Sequence, residues 1–366
     1  MDRRWTKQEA WQWWNEREWL MGINYVPSCM PGWSIWQEDT LEQALRTVIP
    51  ELDLMRDIGF NSIRIRLPFE IWAHEGDKFL DRLSFILSLL DERGMGMMAR
   101  IFSDCVKFGR PDDITIPCPK GYEAWDKGHH GGHADSPFIG DKVRRGWLYW
   151  DEPRYAALCE DFVYALAERF GRDRRIQIWD VWNEPGNSNR GGMSIPMMAR
   201  TFEILREKDV MQPLTACVWR YPENYGRDMS VQISEIERFA IDLSDIVSFH
   251  QYSNIDDVKA TIAMLEREGR PMANTEWLHR IQYNYVQDDL PLYYGKKIAS
   301  YHWGLVAGNS QHYLPWDDIR GREGLDFSAW QHDIFREDGH TPYDPDEIAL
   351  FRAYGAAKDR AGSDLK

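Results

Sequence analysis

Eight short runs rich in β-branched and aromatic residues, separated mostly by helix-forming stretches, constrain this chain more than any other feature. The runs fall at residues 20–28, 61–68, 97–104, 176–184, 214–219, 246–253, 272–277 and 299–306. Between them, apolar residues recur at helical spacing. Leu41, Leu45, Val48, Leu52 and Met55 form one such stripe, Phe79, Leu83, Ile86 and Leu90 a second, and Ile255, Val258, Ile262 and Leu265 a third. Thr40 with Gln43, and Asp344-Pro345 with Glu347, read as capping boxes, with Pro345 at the first helical position.

Eight strand–helix alternations predict an α/β chain folded as a (β/α)8 TIM barrel, with residues 1–366 forming one catalytic domain behind a short N-terminal extension. A doubly wound sheet is the competing architecture. It expects a glycine-rich phosphate turn after the first strand, where this chain reads Gly22-Ile23-Asn24. The one GxGxx(A) match, Gly94 to Ala99, enters a strand from a helix, the reverse of a dinucleotide site, and there is no P-loop. Two segments exceed ordinary connections: residues 105–150 after the third strand and 308–343 after the eighth. On a barrel both lie at the C-terminal face, where active sites are built.

The ends of the strands supply the site candidates by position before chemistry. Strand two offers Arg64 and Arg66, strand three Asp104, and strand four ends IWDVWNEPGN with Asn183-Glu184. Strand six carries His250 and Tyr252, two apart and so on one side; strand seven ends at Glu276; strand eight carries His302 and Trp303. Each has an ordinary reading by itself: Asn-Glu-Pro as a loop tripeptide, Glu276 as a helix-start carboxylate, His250 as a satisfied core histidine. Together they form a carboxylate pair ringed by cationic, hydrogen-bonding and aromatic groups. Glycosidic cleavage needs two carboxyl groups, one protonated to release the leaving oxygen and one ionised to attack the anomeric carbon or activate water. The chain also holds 18 Trp, more than core filling asks for. Broad rings stack on sugar faces, and Trp36 and Trp277 join Trp303 as stacking candidates.

The remaining composition narrows partners. A net charge of −15 disfavours nucleic acid and anionic membrane surfaces. Five scattered cysteines without a C-x-x-C pattern suit a reducing compartment. No signal-peptide core and no membrane-length apolar run is visible, so a cytoplasmic setting is the expectation. The GHHGGH stretch, His129, His130 and His133, lies in a glycine-rich loop with no clear further ligand. It reads as loop or substrate-lining histidines rather than a metal site, and no cofactor is expected. A non-catalytic sugar-binding barrel would keep the tryptophans and lose one Glu. Nothing in the sequence fixes the oligomeric state.

At these residues the chain resembles the clan of retaining (β/α)8 glycosidases that includes glycoside hydrolase family 5. The resemblance rests on Arg64 in FNSIRIR, Asn183-Glu184, His250-Gln-Tyr252, Glu276 and Trp303, and runs from about Trp19 to Tyr354. It implies Glu276 as nucleophile, Glu184 as acid/base, Asn183 at the sugar 2-hydroxyl and Trp303 under the reacting sugar. It implies net retention, with carboxyls roughly 5–5.5 Å apart. Much of the family has His at the end of strand three, where this chain reads IFSDC; Asp104 is expected to take that place near the sugar hydroxyls. GINYVPS, IWQEDT, HWGLVAGNSQ and HDIFREDGHTPYDP resemble a cellulase- or xylanase-like branch also associated with β-mannosidases on short mannosides. The expectation is an exo-acting β-mannosidase-like enzyme, with an open-cleft endo-β-1,4-glycanase as the alternative.

Overall fold

The computed structural model describes residues 4–28, 32–105, 114, 145–220, 232–316 and 319–362. All eight strands form where expected: β1 (Met21–Asn24), β2 (Ser62–Arg66), β3 (Gly96–Ser103), β4 (Ile176–Asn183), β5 (Leu214–Ala216), β6 (Val247–His250), β7 (Met272–Trp277) and β8 (Ala299–Trp303). They run parallel in the order β5-β4-β3-β2-β1-β8-β7-β6. The remaining seam is closed just beyond β5, where Val218 bridges Phe249. There the Val218 N–H donates to Ser248 O and the His250 N–H to Val218 O, each at 2.9 Å. The result is a (β/α)8 barrel.

Alternation along each strand sorts residues between two cores. Met97, Ala99 and Ile101 of β3 face outward into the layer shared with the helices, whereas Met98 joins Ile178, Ala273, Ala299 and Tyr301 on the barrel axis. Tyr301 fills that axis because Gly22 makes room: a Cβ at Gly22 would lie 2.4 Å from the Tyr301 ring. The first helix, α1 (Lys7–Asn15), plugs the N-terminal end of the barrel. Trp14 and Leu20 close the inner cluster from below, and the Trp14 Nε1–H donates to Lys297 O at 2.8 Å. With its floor filled, the barrel opens only toward the C-terminal ends of its strands.

The helices clad the outside: α2 (Glu38–Ile58), α3 (Phe69–Glu75), α4 (Asp77–Asp91), α5 (Pro153–Phe170), α6 (Ile195–Glu207), α7 (Glu235–Leu243), α8 (Ile255–Leu265), α9 (Val286–Gly295) and α10 (Pro345–Ala356). The stripe Phe79, Leu83, Ile86 and Leu90 is wholly buried on α4, each side chain contributing roughly 1.5–3 kcal/mol of apolar transfer. The caps differ from the sequence reading. Helix α2 begins earlier, after Gln37, so Thr40 lies inside it, and its hydroxyl donates to Ser34 O at 2.7 Å. Asp344 does cap α10, accepting from the Asp346 N–H, but Glu347 does not complete a box. It turns instead to Arg280, whose Nε donates to it at 2.8 Å.

The loop after β8 folds back over the bowl, with Phe335 bridging both Val306 and Pro342. Of the loop after β3, Phe108, Tyr122, Trp125, Phe138 and the histidines at 129, 130 and 133 lie outside the described residues, as do Cys29 and Cys118. Trp147 is packed edge-on to Tyr149 at 5.3 Å. Cys105, Cys159 and Cys217 are free thiols. No helix among the described residues is long and apolar enough to cross a membrane.

Candidate active site

Arg64 organises the floor of the bowl. It is 1 % exposed. Its Nε donates to Asp180 Oδ2 at 2.8 Å, its Nη1 to Glu276 Oε1 and to Asn24 Oδ1 at 2.7 Å each, and its Nη2 to Asn183 Oδ1. One rigid fork therefore serves two carboxylates and two amides, a task for which Lys has the wrong shape. This accounts for Asp180, the one charged residue in an otherwise apolar run. Asp180 and Asn183 both reach Arg64 although they are three apart. The ladder register shifts between Asp180 and Trp182, which restores the facing.

Glu276 lies at the end of β7 with 2 % exposure. The Tyr252 hydroxyl donates to its Oε2 at 2.7 Å, and His250 Nδ1 stands 3.4 Å from the same oxygen. Burial pushes this carboxyl up, but the charges of His250, Arg64 and Arg100 and the Trp303 side chain outweigh it and bring it down to about 2. Tyr252 is pushed well above its ordinary value by burial and by the Glu276 charge, so it stays a donor. Trp303 shares the inward face of β8 with Tyr301 and lies beside the His312 ring at 5.2 Å.

Glu184 sits just past β4 with φ 49°, a left-handed conformation uncommon for a residue with a Cβ. The surroundings impose it. The Glu184 N–H donates to Cys217 Sγ at 3.0 Å, Trp219 Nε1–H donates to Pro185 O at 2.9 Å, and the Gly186 N–H donates to Asp104 Oδ2 at 2.7 Å. Gly186 itself has φ 83°, with Ile236 filling the space where a Cβ would go. The turn aims the carboxylate back over the bowl. Its Oε1 meets His250 Nδ1 at 2.9 Å, and its Oε2 accepts from the Cys105 thiol at 2.6 Å and from Asn187 Nδ2.

The structure therefore brings Arg64, Asn183, Glu184, His250, Tyr252, Glu276 and Trp303 to one place. It removes four candidates, Asp104, Trp277, Trp36 and His302, from the bowl wall. Asp104 has no exposed surface; Ser194 Oγ donates to its Oδ1 at 2.6 Å, and Arg190 Nε lies 3.3 Å from the same oxygen. It braces the turn that carries Glu184 instead of facing the bowl. Trp277, next to Glu276 on an alternating strand, points outward. Its Nε1–H donates to Ser300 Oγ at 3.0 Å, and its ring packs on Tyr293 at 5.3 Å. Trp36 is buried against Phe79, at 5.5 Å between ring centres. His302 likewise faces out, stacked on Phe351 at 4.9 Å, and Arg66 pairs with Glu70 at the rim.

Sequence reading missed Asn24, Arg100, Asp180, Cys105 and Asn187. Parity could have found Arg100: with Met98 inward and Ala99 and Ile101 outward, Arg100 faces the axis. Burial and the Arg64 charge bring its guanidinium down to about 10, which leaves it cationic at neutral pH. Glu184, His250 and Glu276 are also metal-capable atoms lying within 4.8 Å of one another. Arg64, Tyr252, Cys105 and Asn187 already donate to those carboxylates, and Arg64 brings a positive charge to Glu276 Oε1. The trio therefore fits a carboxylate pair better than a metal centre.

No family model and no curated protein matches the chain. Solved structures do match in fold. One is a family 5 xyloglucan-specific endo-β-1,4-glucanase from a metagenomic library with cellotriose bound: 12% identity, 95% of this chain, 100% of that chain, TM-score 0.53. Another is a family 5 mannosidase from Rhizomucor miehei with mannosyl-fructose bound: 12% identity, 96% of this chain, 95% of that chain, TM-score 0.54. An exo-β-1,4-mannosidase from Opitutaceae bacterium strain TAV5 matches at 16% identity, over 94% of this chain and 60% of that one, with TM-score 0.53. In fold, this chain is similar to the (β/α)8 barrels of family 5 glycoside hydrolases.

Proposed function

We propose that the protein is a retaining β-glycoside hydrolase acting on short β-linked gluco- or manno-oligosaccharides, with exo action on β-mannosides as the preferred reading. The observation that carries it is the unequal pair: Glu276 held ionised by Arg64 and Tyr252, facing Glu184 on a separate strand end. Oxygens of the two approach within 4.8 Å. That suits the close spacing of roughly 5–5.5 Å between carboxyls in retaining enzymes better than the roughly 6.5–9.5 Å that leaves room for water in inverting ones.

In this reading a Glu276 oxygen attacks the anomeric carbon while Glu184 gives its proton to the departing glycosidic oxygen. The bond to the aglycone breaks and a glycosyl ester forms. Glu184, now ionised, takes a proton from water as that water attacks the same carbon, and Glu276 leaves as carboxylate. Asn183 would meet the 2-hydroxyl, and Trp303 would floor the reacting sugar. Trp316, half-buried and edge-on to Tyr252 at 4.9 Å, supports a wall at one end of the bowl and hence exo action.

The test is a panel of p-nitrophenyl β-mannoside, β-glucoside and β-xyloside, run on the native protein, Glu184→Ala and Glu276→Gly. Azide should rescue Glu184→Ala and give a β-glycosyl azide, while Glu276→Gly stays inactive on the aryl glycosides. Swapped behaviour would sink the assignment. Internal fragments released from a β-1,4 polymer would overturn exo action in favour of an open endo cleft.

A further inference from the structure

Glu184 is gripped by a side chain that the reaction as described does not use. The Cys105 sulfur, just past the end of β3, lies 2.6 Å from Glu184 Oε2. Two amides donate to that sulfur, Asn187 Nδ2 at 3.2 Å and Asn183 Nδ2 at 3.5 Å. The same Asn187 amide also donates to Glu184 Oε2. The polarity runs one way: amide N–H to sulfur, then S–H to carboxylate. Links in such a chain strengthen one another.

We infer that Cys105 is a positioning residue for the acid/base: its thiol donates to Glu184 Oε2 and holds that carboxyl where it can meet the glycosidic oxygen. The inference rests on the proposed glycosidase reading. Two observations support a donor over a nucleophile. Cys105 shows surface to solvent, yet its sulfur points inward onto the carboxylate. Burial and the charges of Glu184 and Glu276 push the thiol well above 9, so it stays S–H at neutral pH. A thiol kept in that form is a poor nucleophile and a usable donor. Glu184 stands on a left-handed residue at φ 49°, Cys105 and Asn187 both donate to its Oε2, and among the described residues its Oε1 meets the His250 ring at 2.9 Å.

A positioning role for the acid has a signature that a general structural role lacks. A poor leaving group needs the proton from Glu184; an activated one leaves without it. The experiment compares native protein, Cys105→Ala and Cys105→Ser on phenyl and 2,4-dinitrophenyl glycosides of the best sugar in the panel. Cys105→Ala should lose about tenfold in kcat/KM on the phenyl glycoside, the scale of one hydrogen bond to a charged group. Its kcat/KM on the dinitrophenyl glycoside should stay within about twofold, because glycosylation there needs no acid. Cys105→Ser, which keeps a donor, should recover most of the loss. Equal losses on both substrates, no loss on either, or failure of Ser to rescue would overturn the role of Cys105 and leave Glu184 as the acid. Native protein inert toward both glycosides would instead sink the glycosidase reading, and this inference with it.

Discussion

Replacing Arg64 with Met keeps most of the buried stem and deletes the charge that two carboxylates share. Asp180 and Glu276 would remain at 0 % and 2 % exposure, with the Arg64 guanidinium gone from 2.7 Å of each. Removing one partner of a buried pair costs about 3–5 kcal/mol. His250, Arg64, Arg100 and the Trp303 side chain together bring the Glu276 carboxyl from 4.5 to about 2 on folding, roughly 3 kcal/mol that Arg64 shares with the other three. The sign follows from the direction. A depressed carboxyl contributes stability that is present above its unfolded value and lost as pH falls toward 2. Arg64→Met should therefore unfold about 3–5 kcal/mol more easily in urea at pH 7, and the deficit should shrink below pH 4. The acid limb of kcat/KM should also climb, since burial then pushes Glu276 up with His250, Arg100 and the Trp303 side chain left to oppose it. Arg64→Lys, retaining charge without the fork, should fall between. Native-like stability in Arg64→Met at pH 7, with an unmoved acid limb, would refute the claim that Arg64 holds the Glu276 charge.

Tyr252→Phe removes one hydrogen bond to a buried carboxylate. It should lower kcat/KM by about 10- to 100-fold and cost about 1–3 kcal/mol of stability, less than Arg64→Met. Asp104→Ala should cost about 3 kcal/mol and also lower activity, because the lost contacts to Gly186 and Ser194 hold the Glu184 turn; a loss of activity with unchanged stability would contradict this. Burial and the neighbouring Asp288 push Asp289 up to about 8. Its contribution to stability is thus full below the ordinary value of 3.8 and lost as pH rises through about 8. Asp289→Asn keeps an acceptor for Asn284 Nδ2 and should raise the melting temperature at pH 8 more than at pH 5.

The barrel was legible because its signals are local and repeated: period-two strands, period-3.6 stripes such as Phe79 to Leu90, and eight alternations. The two candidate carboxylates, Glu184 and Glu276, were legible because a barrel sends strand ends to one face. The misplacements share a cause. Asp104, Trp277 and Trp36 stand close in sequence to the strand ends or their loops, but parity and burial decide facing, and one position along a strand reverses it. Trp277 follows Glu276 and so points the other way. The capping box at Thr40 failed because Gln37 starts that helix three residues earlier. Cys105 and Asn187 were invisible because their contacts to Glu184 depend on a turn with positive φ there, which no propensity rule foresees. Asp180 was visible as an oddity, but only the register shift on β4 puts it and Asn183 on the same guanidinium.

The central claim is that Glu276 attacks the sugar and Glu184 handles the proton. Incubation with the gluco and manno 2-deoxy-2-fluoro-β-glycosyl fluorides, followed by digestion and peptide mass spectrometry, tests it most directly. Such reagents trap the glycosyl ester because fluorine slows its hydrolysis. The account predicts one fluoroglycosyl adduct per chain, on Glu276, absent in Glu276→Gly and still formed in Glu184→Ala. An adduct on Glu184, or turnover of either fluoride with inversion and no adduct, would contradict it.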